Sequence, residues 1–219
     1  MINQSTLDFI GDLKANNDRD WFLKHKEAYD AAQQNVVTFT GELLKELSKV
    51  DPYIDANSDP KKSVMRIYRD IRFSKDKTPY KHWFGIHKLS AKYHLEVGYY
   101  MHIEPGATFI AGGCWWPQGD QLKAIRQEID YNADDLKAIV DAPTFKKLFG
   151  EFRDQEQLKT IPNGYEADNE NISLIKLKSF TASHKVSDAE LKSKDAAAKV
   201  ASILKEIQPL LLFLQNAIA

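Results

Sequence analysis

The chain has a single cysteine, Cys114, among its 219 residues. No disulfide can close within it, and a thiol used so sparingly fits a reducing compartment, so a cytoplasmic protein is expected. Long apolar runs are also missing. The longest, Pro209–Leu214, falls far short of the ~18 residues a membrane-spanning helix needs. Met1-Ile-Asn-Gln-Ser-Thr6 lacks a basic stretch followed by an apolar one, so no secretory signal and no membrane partner is expected.

The usual catalytic signatures are absent as well. There is no Gly-x-Ser-x-Gly elbow, no Walker A loop and no dinucleotide fingerprint, and Gly112-Gly113 is too little to stand for one. Six histidines are present, but no His-Glu-x-x-His pair and no cysteine ligand group. On a straight strand His94 and His102 would lie about 27 Å apart, too far to share a metal. No metal and no cofactor is expected, and whether the chain is an enzyme stays open.

What the chain does have is an uneven distribution of charge. Its net charge is -1, yet Lys61–Lys81 gathers eight cations against two acids, Asp70 and Asp76. That segment carries a surplus of six, so the remainder sums to -7. A positive patch on a negative body can steer an anionic ligand to one place.

Hydrophobic periodicity outlines the elements. A first helix is expected over Ser5–Lys14, opened by Ser5-Thr-Leu-Asp8. Asp18 would cap a long second helix with Phe22, His25, Tyr29, Ala32, Val36, Phe39, Leu43 and Leu47 as its inner stripe. Three strands are expected: Val64–Phe73 and Tyr93–Ile103, where residues alternate and His94, Glu96, Gly98, Tyr100, His102 and Glu104 share the polar face of the second, and Thr108–Trp116. Gly112-Gly113 marks a bulge or a close backbone approach in the third. Helices follow over Gln118–Tyr131, Ala133–Val140 and Pro143–Phe149, and Leu174–Phe180 fits helix or strand. Ser187-Asp-Ala-Glu190 is a capping box for a last helix, which Pro209 kinks or divides. The outcome is a single α+β domain over 1–219. Its small antiparallel sheet, of at least three strands, packs against long N- and C-terminal helices.

Within the basic segment, strand alternation puts Arg66, Tyr68, Asp70 and Arg72 on a polar face. Two guanidiniums flanking an acid can hold a phosphate or carboxylate by bidentate hydrogen bonds, with Asp70 fixing their orientation. Lys75, Lys77 and Lys81 add point charges from the following loop. The competing reading is a ladder of ion pairs with Glu96 and Glu104 of the next strand, which needs no ligand. Arg69 falls between Ile67 and Ile71, where a buried cation requires an acid partner, so it is expected to act as a structural strut. Tyr68, Phe73, Tyr80, Trp83 and Phe84 interleave with the cations; Phe73, Trp83 and Phe84 are expected in the core.

The stretch Arg66-Ile-Tyr-Arg-Asp-Ile-Arg-Phe-Ser-Lys-Asp-Lys-Thr-Pro-Tyr-Lys81 resembles the signature of an uncharacterised family, domain of unknown function 2461. Asn16-Asn-Asp-Arg-Asp-Trp-Phe22, Gly112-Gly113 with Trp116-Pro117, Leu122 with Ile125-Arg126, Pro162-Asn-Gly-Tyr165 and Leu177-Lys-Ser-Phe180 carry the likeness over nearly the whole chain. Asn163 stands where the family pattern implies a basic residue, which argues against a binding role for that turn. The resemblance implies one compact domain and assigns no reaction.

Function is therefore expected at the basic motif. The first expectation is binding of a small phosphate- or carboxylate-bearing anion by Arg66, Arg72, Lys75, Lys77 and Lys81. Asp70 orients the arginines, and Asn16, Asn17, Arg19 and Arg126 are further candidates for the same cleft. In an enzyme, the arginines would stabilise a developing anion, and Tyr68, Tyr80 or His82 would move the proton. The alternatives are a nucleic-acid-binding surface at the same patch, or a protein-interaction scaffold whose cations are all paired internally.

Overall fold

The computed structural model describes residues 1–94, 96–152 and 156–219. Among these, the chain is α+β, with eleven helices and a four-stranded antiparallel sheet. The sheet order is β1-β2-β3-β4, with β1 Phe84–Ile86, β2 Val97–Ile103, β3 Phe109–Cys114 and β4 Phe180–Lys185. β1 pairs with β2 antiparallel, with Gly85 opposite His102. Residue contacts divide the chain into two compact units. The first comprises Met1–Leu89, Tyr100–Ile110 and Lys185–Ser202; the second, Ser90–Tyr99, Ala111–His184 and Ile203–Ala219.

In the first unit, helix α1 (Gln4–Ala15) buries Leu7, Phe9, Ile10 and Leu13. Its N-cap position is Asn3, not Ser5, so the cap falls two residues earlier than the capping signal predicts. Asp18 caps as expected, accepting the Trp21 N–H at 2.9 Å, but the helix it opens, α2 (Arg19–Lys24), is short. The break falls at His25, whose ring stacks on Trp21 at 4.0 Å and whose Nδ1 engages the Trp21 carbonyl at 2.8 Å. Helix α3 (Lys26–Ser48) then carries the predicted stripe, with Tyr29, Ala32, Val36, Phe39, Leu43 and Leu47 all buried. A fully buried Leu or Phe stabilises by roughly 1.5–3 kcal/mol, so this face and that of α1 anchor the unit. Helices α4 (Pro60–Ser63), α9 (Asp188–Leu191) and most of α10 (Ala196–Lys205) complete it. The Ser187–Glu190 capping box forms as predicted, on a helix of only four residues.

Two expected strands differ from the outcome. Val64–Phe73 makes only isolated bridges, Val64 to Ile86 and Tyr68 to Tyr80. Of its predicted apolar face only Ile67 is buried, and Phe73 is 95% exposed. The chain turns away after Arg69, and Ser74 N–H closes a turn on the Ile71 carbonyl at 3.3 Å. The second strand begins at Val97 instead of Tyr93, and of the earlier stretch Leu95 lies outside the described residues. From Val97 onward the alternation is strict: Val97, Tyr99, Met101 and Ile103 are buried, while Gly98, Tyr100 and His102 are half-exposed.

In the second unit, helices α5 (Gly119–Tyr131), α6 (Ala133–Val140) and α7 (Pro143–Phe149) sit where periodicity placed them. The Leu174–Phe180 ambiguity resolves as both: α8 (Ile172–Ile175) ends before β4 starts at Phe180. Pro209 opens a separate helix, α11 (Gln208–Ala217), whose Leu210, Leu211, Phe213 and Leu214 are buried and which packs on α5 and α6. The glycine pair marks a close approach. Gly113 has φ +135°, and a Cβ there would lie 2.0 Å from the Phe180 carbonyl oxygen. Both demands exclude a side chain. Gly113→Ala is expected to destabilise the fold by about 3 kcal/mol, read as a lower urea midpoint with an unchanged slope.

Candidate functional site

The basic segment folds as a narrow ribbon ending in a loop. Met65 N–H bonds to the Gly85 carbonyl at 2.8 Å, Lys81 N–H to Ile67 at 2.8 Å and Arg69 N–H to Pro79 at 3.0 Å. Beyond Arg69, side chains take over this work. The Arg69 guanidinium holds Asp76 at 2.6 Å, the Thr78 carbonyl at 2.9 Å and the Thr78 hydroxyl. Asp76 in turn accepts the Thr78 N–H at 2.9 Å. Those Thr78 bonds, backbone first, together with Arg69, hold the Asp76 carboxyl below its ordinary range. Arg69 thus serves as the predicted strut, although its side chain is 26% exposed and not enclosed. Lys77 Nζ donates to the Ile71 carbonyl at 2.9 Å, and Lys81 Nζ to the carbonyls of Arg66 and Tyr68 at 2.6 and 3.1 Å.

The remaining cations face outward. Arg72 forms a two-pronged pair with Asp70, Nε to Oδ1 at 3.0 Å and Nη2 to Oδ2 at 2.7 Å, while 76% exposed. The Arg72 hydrogen bonds, then the more distant Arg66 charge, lower the Asp70 carboxyl. Arg66 and Lys75 are exposed. Phe73 lies beside the Arg72 guanidinium at 5.8 Å, so it joins this surface and not the core. Of the three aromatics expected inside, Phe84 is buried and Trp83 is half-buried with Lys81 Nζ 5.5 Å from its ring. Burial, then the Arg66 charge, pulls the Lys81 ammonium down from its ordinary range.

The supporting candidates divide. Asn17 clips the backbone of Tyr80: its amide donates to the Tyr80 carbonyl at 2.9 Å and accepts the Tyr80 N–H at 3.1 Å. Tyr80 is buried and stacked on Phe22 at 4.1 Å, and burial pushes its phenol up. Tyr68 is 54% exposed, with its ring 5.5 Å from that of Tyr80. Asn16 closes the end of α1 on the Asp12 carbonyl at 2.9 Å. Arg19 is exposed at the start of α2, where its charge acts on Tyr80. Arg126 belongs to the second unit; its Nε donates to the Ile175 carbonyl at 2.7 Å, and burial lowers its guanidinium.

Glu104, a rung for the arginines under the competing reading, has other partners. Lys14 Nζ lies 2.8 Å from Oε1, His82 Nε2 3.6 Å from the same oxygen and His102 Nε2 3.1 Å from Oε2. Tyr100 Oη reaches the other ring nitrogen of His102 at 3.2 Å. Burial alone would raise the Glu104 carboxyl, but the Lys14 and His102 hydrogen bonds outweigh it and the net shift is downward. Alternation along β2 and its end puts Tyr100, His102 and Glu104 on one face. The arrival of Lys14 and His82 from distant segments was not legible. Elsewhere, burial, then Glu96, pushes the Cys114 thiol up to about 12, so it is a packing group and not a nucleophile.

A family model described as "Conserved hypothetical protein (DUF2461)" matches residues 5–213. No curated protein and no solved structure matches the chain.

Two measurements check this geometry. Asn17→Ala removes both bonds to the Tyr80 backbone and is expected to destabilise by about 2 kcal/mol in urea titrations. The Glu104 carboxyl is lowered from 4.5 on folding, so its contribution is full above that pH and is lost as pH falls through the folded value. Glu104→Gln should flatten the loss of stability below pH 4.5 relative to the wild type.

Proposed function

The chain belongs to the DUF2461 family of conserved hypothetical proteins, and we propose that it binds a phosphate- or carboxylate-bearing ligand on the outward face of the Arg66–Lys81 loop. Arg66, Arg72 and Lys75 meet the ligand. Lys77 and Lys81 add charge while holding backbone carbonyls, and Asp70 sets the plane of Arg72. The observation that carries the reading is a division of labour. Arg69, Lys77 and Lys81 hydrogen-bond backbone carbonyls of the loop, Lys77 while itself exposed, whereas the side chains of Arg66, Arg72 and Lys75 are exposed and Arg72 is held by the Asp70 carboxylate. A guanidinium has five N–H donors, and the Asp70 fork occupies only one side of Arg72. A loop fixed in advance binds with less ordering cost than a mobile one.

A nucleic acid is the second reading, favoured by Phe73 and Tyr68, which are 95% and 54% exposed among these cations. Aromatic faces beside cations stack unpaired bases. The test is a thermal-shift series with inorganic phosphate, phosphomonoesters and dicarboxylates, alongside anisotropy of a labelled single-stranded oligonucleotide. Under the first reading a small anion raises the melting temperature of the wild type and not of an Arg66→Ala/Arg72→Ala variant. Equal shifts in both proteins, or none in either, sink it. Under the second, oligonucleotide affinity falls with a log–log salt slope of about -0.7 for each phosphate contacted, and absence of binding at low salt removes it.

A further inference from the structure

Tyr100, His102 and Glu104 lie in a row on one side of β2 and its end, in the first unit. His102 is held on every side. Its ring stacks on Phe109 at 4.9 Å and packs against Trp83 at 4.7 Å, and its side chain is 13% exposed. Its nitrogens link Tyr100 Oη, at 3.2 Å, to Glu104 Oε2, at 3.1 Å. Glu104, also 13% exposed, is fixed in turn by Lys14. An ionised carboxylate only accepts hydrogen bonds, so Nε2 of His102 carries the proton it donates. In the neutral ring Nδ1 is then an acceptor, and the Tyr100 O–H donates to it. A hydroxyl, an imidazole in a fixed tautomer and a shielded carboxylate in sequence form the arrangement that activates a nucleophile.

We propose that Tyr100 is a nucleophile activated by His102 and Glu104, acting on the acyl or phosphoryl centre of a carboxylic or phosphoric ester or anhydride. Oη forms a bond to carbon or phosphorus, and the bond to the leaving oxygen breaks. The phenol proton passes to Nδ1 of His102 and then to the leaving oxygen, while Glu104 holds the intervening imidazolium. Water next attacks the Tyr100 ester and gives its proton to Nδ1. The phenolate departs and recovers that proton, so the cycle closes without an oxidant or reductant. A negatively charged substrate is the further expectation, and that part rests on the anion-binding reading of the loop. Its support is proximity: Lys81 lies 5.5 Å from the Trp83 ring, which packs on His102.

An uncharged arylsulfonyl fluoride tests the nucleophile without calling on the loop. Oη attacks sulfur, fluoride leaves and His102 takes the proton. Labelling of the full chain, mapped by peptide mass, is expected to be at least about tenfold faster at Tyr100 than at Tyr68 or Tyr131, although these are 54% and 73% exposed. The Tyr100 rate should reach its plateau well below the phenol range near pH 10, instead of climbing through that range. Among the described residues, the charged or titratable groups around His102 include Tyr100 and Glu104 on its own strand and extension, His82 before β1, and Lys14 from α1. Lys81 adds its charge across Trp83. Glu104→Gln should slow labelling about tenfold. His102→Phe, which keeps a ring between Trp83 and Phe109, should remove the excess rate. Tyr100 labelling no faster than at Tyr131, or unchanged by Glu104→Gln, overturns the proposal; should His102→Phe fail to fold, the wild-type pH profile and Glu104→Gln decide it. Failure of the anion titrations leaves the labelling result standing, and failure of labelling leaves the titrations standing.

Discussion

Backbone polar groups along residues 66–81 need partners, and among the described residues this segment makes only the isolated Tyr68–Tyr80 bridge. That constraint organises the first unit. A carbonyl or N–H shielded from water without a partner is costly, so side chains are recruited in place of a ladder. Lys81 takes two carbonyls, Lys77 one, Arg69 another, and Asn17 imitates a neighbouring strand toward Tyr80. Much of what looks like a ligand-binding charge cluster is therefore the scaffolding of an irregular loop. The cations left without a backbone carbonyl are fewer than the sequence count, and they stand on a loop tied by side-chain hydrogen bonds.

Two carboxylates act as hubs, each in a different setting. Asp76 is well exposed and collects the Thr78 and Arg69 donors that close the loop, a local arrangement spanning a few residues. Glu104 is largely shielded and collects Lys14, His82 and His102 from three separate segments. Shielding strengthens each of these interactions and makes an unpaired charge there expensive, so the Glu104 hub binds α1, the run into β1, and β2 together. The aromatic rings of Trp83 and Phe109 on either side of His102 extend the same junction into the packed interior.

The helices were legible because their signal is periodic and local. The inner stripe of α3, the bounds of α6 and α7, and the capping box at Ser187 each depend on residues within a few positions of one another. The close approach at Gly113 could be anticipated from a glycine pair in an otherwise apolar strand. The Val64–Phe73 strand failed for an equally physical reason. Its alternation was genuine as far as Ile67, but a strand also needs a partner along its length, and beyond Arg69 the turn at Ser74 removes it.

The same division runs through the candidate site. Sequence by itself determined where the positive charge accumulates, that Arg69 must find an acid, and that Tyr100, His102 and Glu104 share a face of one strand. Each follows from spacing along a single element. Tertiary structure alone decided which cations were consumed by carbonyls and which stayed exposed, that Phe73 points to solvent, and that Glu104 pairs with Lys14 and His82. These depend on contacts between residues 6 to 90 positions apart in the chain, beyond the two- to four-residue spacings of a single element.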